Sequence, residues 1–262
     1  MRPFYVIMCQ TGRRYAMKRF LGILLACLYL AGCSITLPKS PLPENPYGPE
    51  DFVWDGEYMT CLTGDYMLGI DVSFWQGDID WEQVYASGIQ FVMIRVGRRT
   101  ENTGEVSADP RAAEYYEGAK AAGLQVGCYF YSQAISQEEA VEEAQFVLDA
   151  VADWELDLPI VFDWENYTPN CRTQLTTGRM LTKCAVAFCE TIGEAGYEPM
   201  LYFNKDLSQR LDWDQLKDYK RWLAMYNPEM DYPYQVDVWQ YSETGSVPGI
   251  QVNVDLNIWL IY

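Results

Sequence analysis

Asp163 and Glu165 close an apolar run, Leu158-Pro159-Ile160-Val161-Phe162, and are the residues in this chain best spaced for acid–base work. In a strand successive side chains alternate between faces, so the two carboxyls point one way and Trp164 the other. Two acids held together on one face have unequal proton affinities, as hydrolysis requires when one group protonates a leaving oxygen while the other steadies charge or activates water. An Asp-x-Glu triplet alone is equally the capped, solvated end of an ordinary strand. What separates the two cases is whether the rest of the chain builds a mouth around it.

The elements needed to position the pair follow from hydrophobic periodicity. Strand-like runs fall at Met67 to Val72, Phe91 to Val96, Gln125 to Tyr131, Ile160 to Asp163 and Met200 to Phe203. Between and after them lie helical patterns near Trp81 to Ser87, Arg111 to Ala121, Gln137 to Ala152, Leu175 to Ala195 and Leu207 to Tyr219. Gly88, Gly123 and Gly196 sit where helix C-caps are wanted. Five βα units in a row imply parallel strands with right-handed crossovers. Three more strand-like runs, Arg221 to Tyr226, Val236 to Tyr241 and Val252 to Ile261, then follow with no room for full helices between them. Eight strands can close, so the expected fold is α/β: an irregular TIM-like barrel of five βα units followed by three strands, over residues 65–262. The strand ends nearest one mouth would then bring Asp71, Asp163, Glu165 and Asp255 together with Tyr129, Tyr131, Tyr202, Trp239 and Gln240.

Composition narrows the chemistry. The 262 residues include no histidine, which excludes Ser-His-Asp and Cys-His groups and any His-ligated zinc. Residues 1–32 hold five basic side chains and no acid, while the remainder carries 14 basic and 37 acidic residues, a net −23. Such a surface disfavours nucleic acid as a partner. Nine Trp and twenty Tyr exceed what a core needs and suit the stacking of sugar rings. No cofactor is implied, and no metal, since the acids arise on separate strand ends without an Asp-rich calcium loop.

Residues 1–32 read as a signal peptide, with Met17 an alternative start: Lys18 and Arg19, an apolar stretch from Leu21 to Leu30, then small residues before Cys33. Leu30-Ala31-Gly32-Cys33 resembles a bacterial lipobox, which implies lipidation of Cys33 and a mature chain anchored to the outer face of the cytoplasmic membrane or released outside. Residues 33–64 read as a Pro-rich tether. Cys61, Cys128, Cys171, Cys184 and Cys189 form an odd set without metal-type spacing and read mostly as small core residues.

Gly69-Ile70-Asp71-Val72-Ser73-Phe74-Trp75-Gln76-Gly77 and Val161-Phe162-Asp163-Trp164-Glu165 together resemble glycoside hydrolase family 25, the N-acetylmuramidase lysozymes. Further similarity runs through Phe91 to Arg95, Asp109-Pro110, Ala122 to Gly127, Trp239-Gln240-Tyr241 and Val254 to Asn257. The resemblance implies hydrolysis of β-1,4 bonds between N-acetylmuramic acid and N-acetylglucosamine in peptidoglycan, with Glu165 as general acid. Asp163 would assist, either by orienting the substrate's acetamido group or by activating water, and Asp71 and Asp255 would stabilise charge or place water. Tyr129, Tyr131, Tyr202, Trp239, Gln240 and Arg95 would contact sugar, in a monomer. Many members carry Tyr-His-Phe where this chain has Tyr129-Phe130-Tyr131, so Tyr131 would supply the polar contact. Two other readings compete: a barrel that binds wall glycan without cutting it, and a hydrolase of another acetamido-glycan such as chitin. The run of acids at two-residue spacing that precedes the Asp-x-Glu of chitinases is absent here.

Overall fold

Val161 and Phe162 show how the eight barrel strands are built, one side chain facing the lumen and the next facing the helices. The computed structural model describes residues 40–165, 171–227 and 229–262. The expected signal segment, the alternative start at Met17 and the expected lipidation site Cys33 lie outside the described residues. Described elements in chain order are β1 (Phe52–Trp54), β2 (Met59–Cys61), β3 (Tyr66–Val72), α1 (Trp81–Ala86), β4 (Phe91–Arg99), β5 (Val106–Ala108), α2 (Ala112–Ala122), β6 (Gln125–Ser132), α3 (Gln137–Ala150) and β7 (Ile160–Trp164). They continue with α4 (Gly178–Glu194), β8 (Pro199–Asn204), one-turn helices α5 (Lys205–Ser208) and α6 (Trp213–Leu216), β9 (Lys220–Ala224), β10 (Val238–Gly245) and β11 (Val254–Leu260).

β3, β4, β6, β7, β8, β9 and β10 pair in that order, all parallel. β11 runs antiparallel between β10 and β3 and closes the barrel. The expected eight-stranded irregular barrel is therefore the observed one, with β5 an added antiparallel edge on β4. Lumen-facing Phe91, Met93, Val161, Met200, Trp222, Val238 and Trp259 fill the interior below the mouth. Gly69 makes that filling possible, because a Cβ there would lie 2.3 Å from the Phe91 ring. Outward-facing Phe162 packs at 5.1 Å on Phe188 of α4, a helix capped by the Thr177 side chain and buried along Leu181, Cys184, Ala185, Phe188 and Ile192. That spacing is one face of a helix, and each large side chain so buried contributes roughly 1.5–3 kcal/mol.

Two expectations are corrected. The helix anticipated from Leu207 to Tyr219 is split in two, since the Asp212 carboxylate accepts from the backbone N–H of Asp214 and starts a fresh turn. The segment expected as a tether through residue 64 is packed from Leu42 onward. Pro43 and Asn45 exchange backbone hydrogen bonds with Gln235 and Pro233, and Phe52 meets the ring of Trp239 at 5.2 Å. The compact unit accordingly runs from Ser40 to Tyr262. The physical reason lies in the tail strands: β10 has no covering helix, so its outer face, Trp239 and Tyr241, would meet water unless the N-terminal hairpin lay over it.

Candidate active site

The mouth at the C-terminal ends of the parallel strands opens into a cavity of about 260 Å3 lined by acids and phenols. Asp71, Asp163, Glu165 and Asp255 all line it, as do Tyr129, Tyr131, Tyr202, Gln240 and Arg95. Asp255 reaches the mouth because β11 is reversed: it begins where its neighbours end and sits in register with Asp71.

Asp71 is buried at 6% exposure and its Oδ2 accepts from Gln240 Nε2 at 2.8 Å and Asn257 Nδ2 at 2.9 Å. The chain of donors extends outward: Trp222 Nε1 donates to Asn257 Oδ1, and the Tyr202 and Tyr226 hydroxyls both donate to Gln240 Oε1, each at 2.8 Å. Burial and the neighbouring Asp71 charge push Asp255 up to about 9, so at neutral pH it keeps a proton and bridges to Asp71. Gln240 thus organises the floor of the site with its amide already engaged on both sides.

Glu165, half-buried at the end of β7, is pushed up to about 7 by desolvation, with the nearby Tyr202 hydroxyl pulling the other way and the charges of Asp71, Glu101 and Glu243 adding to the rise. Its backbone oxygen accepts from the buried Gln133 amide at 2.7 Å, which holds the strand end in place. Asp163 is shifted upward by burial first and by the Glu165 charge second. Its Oδ1 is buried with no hydrogen-bond partner among the described residues. A buried acceptor left without a donor costs on the order of 1–3 kcal/mol, a cost that a ligand N–H or a developing positive charge would remove.

Arg95 lines the cavity but is committed, with Nε and Nη2 both donating to Asp109 Oδ2 at 3.0 and 2.8 Å. Tyr131 donates to Glu101 Oε1 at 3.1 Å. Phe130, where the family resemblance leads one to expect histidine, faces the helices and packs on Phe146 at 5.7 Å, so that difference falls outside the mouth. Trp239 is a correction: it is fully buried on the outer face of β10, its Nε1 donating to Met225 O at 2.8 Å, and contributes packing under the hairpin instead of a sugar contact. Being next to lumen-facing Gln240, it could not share that face. Trp222 and Glu243 line the cavity beyond the residues the sequence points to, and Tyr226 lines it as expected of a residue at the C-terminal end of the sixth strand-like run. Alternation along Trp222, Ala224 and Tyr226 was available as a signal; for Glu243 it was misleading, because a bulge after Gln240 shifts the phase.

A closed β/α barrel with paired acids at its mouth, one of them raised toward neutral pH, is the architecture of a glycoside-cleaving hydrolase. Residues 70–250 match the family model described as Glycosyl hydrolases family 25, and the chain belongs to that family. It is 28% identical to the autolytic lysozyme of Clostridium acetobutylicum over 197 residues, 73% of this chain and 55% of that protein. It is 26% identical to lysozyme M1 of Streptomyces globisporus, over 97% of this chain and 94% of that one. The modular autolysin LytC of Streptococcus pneumoniae superposes with a TM-score of 0.67 at 25% identity, covering 79% of this chain and 52% of that chain. The chain thus spans about half the length of the clostridial and pneumococcal proteins.

Proposed function

We propose that this barrel is a muramidase that hydrolyses β-1,4 bonds between N-acetylmuramic acid and N-acetylglucosamine in peptidoglycan. The observation that carries the reading is the Asp163–Glu165 pair: one carboxyl raised toward neutral pH, where it can hold a proton, beside another whose buried oxygen finds no donor among the described residues. Two relatives that are themselves lysozymes by name support the substrate class. Glu165 gives its proton to the glycosidic oxygen as the bond breaks. Asp163 Oδ1 accepts the N–H of the substrate's acetamido group and turns the acetamido oxygen toward the anomeric carbon, where positive charge develops. Asp71, held by Gln240 and Asn257, adds negative potential below that carbon, and protonated Asp255 keeps the two from repelling. Tyr129, Tyr131, Tyr202 and Tyr226 supply ring faces and hydroxyls to the sugars.

Purified peptidoglycan incubated with residues 40–262 is expected to release fragments with reducing N-acetylmuramic acid ends, identified by mass spectrometry. Wall binding without new reducing ends would instead mark a glycan-binding barrel, and release from chitin alone would move the substrate class. The fragment begins at Ser40 because a start near residue 50 would remove Leu42 to Asn45 from their places on the barrel.

Export and anchoring complete the reading: residues 1–32 direct secretion and Cys33 carries lipid, while the packed unit begins at Ser40. Cells grown with labelled palmitate are expected to label the wild-type protein and not Cys33→Ala; equal labelling would remove the anchor from the proposal.

A further inference from the structure

Next to the acidic mouth lies a second cavity, of about 210 Å3, lined by Phe74, Arg95, Arg98, Ser107, Asp109 and Pro110. Arg95 is the wall the two cavities share. Its charge is neutralised by Asp109, but that of Arg98 is not: Arg98 is exposed and enters no ion pair among the described residues. Its neighbour Arg99, by contrast, is buried and paired with Glu142 and Glu143.

The direction of Arg98 is set by the irregularity of β4 between Arg95 and Gly97. Beyond it, Arg98 is in register with Tyr131, and Tyr131 is in register with Asp163, so the three share one tier and one face. Two strand spacings separate Arg98 from Asp163, about 10 Å between backbones. Arg98 lines the adjoining cavity and not the mouth itself, which puts its guanidinium within side-chain reach of a group projecting from whatever is bound beside the acids. The rim is otherwise acidic, with Glu101, Glu165 and Glu243 around it in a chain of net charge −18. The wall polymer also bears carboxylates, on the peptide stems attached to muramic acid, and an acidic mouth repels them. A guanidinium without a protein partner at one edge offers those carboxylates a single favourable side, with the planar fork suited to bidentate binding.

We propose that Arg98, over the floor formed by Phe74 and Ser107, holds a carboxylate of the peptide stem and so fixes which way the glycan strand lies across the mouth. This rests on the muramidase reading. The test compares wild type with Arg98→Gln on two substrates: purified peptidoglycan, and the same material with its carboxyls converted to amides by carbodiimide and ammonia. On native wall the variant is expected to show KM about fivefold higher with kcat unchanged, the scale of one exposed charge pair. On amidated wall the two proteins are expected to coincide, Arg98→Lys is expected to recover part of the loss, and high salt to erase the native-wall difference. Equal kinetics on native wall, or a loss that persists on amidated wall, overturns the proposal. Wild type that cuts neither wall refutes the muramidase reading itself, a separate outcome. Melting temperatures of the variants are expected to match wild type, since the side chain is exposed.

Discussion

Glu165→Gln is expected to lower kcat on peptidoglycan by about a thousandfold while leaving wall binding near that of wild type, the scale assigned to a positioned general acid. The amide is nearly isosteric, so it keeps the contact available to Tyr202 and the Gln133 anchor to the backbone, and what it loses is the transferable proton. The pH profile makes the same point without a mutation. A carboxyl raised to about 7 is protonated below that pH and ionised above it, so general-acid activity is full on the acidic side and falls as pH rises through 7. Glu243→Gln removes one of the negative charges that favour the protonated form, and is expected to draw this descending limb to lower pH. A variant Glu165→Gln with wild-type turnover, or an activity limb rising through pH 7, would remove Glu165 from the role of acid.

Asp163→Asn is expected to cost about a hundredfold in kcat, since it deletes negative charge next to the anomeric carbon while preserving shape. If Asp163 acts through the acetamido group, the substrate oxygen and not water makes the first bond, and the product is expected to keep its anomeric configuration. Proton NMR of the first-formed sugar reads this directly. Inversion would show that water attacks first, and Asp163 would then be the base that activates it. Asp71→Asn is a useful companion, since Gln240 and Asn257 both donate to Asp71 Oδ2 and the bridging proton on Asp255 would be left facing an amide.

Much of the architecture was legible because it is local. Period-two alternation puts Val161 and Asp163 on one face of β7 and Phe162 and Trp164 on the other, and the structure places them so. The helices start at capping side chains, Ser136 and Thr177, and α2 and α4 end by glycines in left-handed backbone, Gly123 and Gly196. The same rule places Trp239 on the outer face of β10, opposite Gln240. The packing of residues 42–64 is not local in this way, because their prolines do favour extended chain and nothing local reveals that this extended chain lies on a strand without a helix to cover it.

Hydrophobic alternation and βα spacing, both properties of short windows, determined the eight strands, their closure and the pairing of Asp163 with Glu165, since side-chain direction in a strand depends only on neighbours. Long-range pairing decided the rest. Asp255 meets Asp71 only because β11 is reversed, Glu243 reaches the mouth and Arg98 joins the tier of Asp163 only because strand irregularities rotate them there, and Glu165 is lifted to about 7 only because the assembled mouth desolvates it and sets other carboxylates around it.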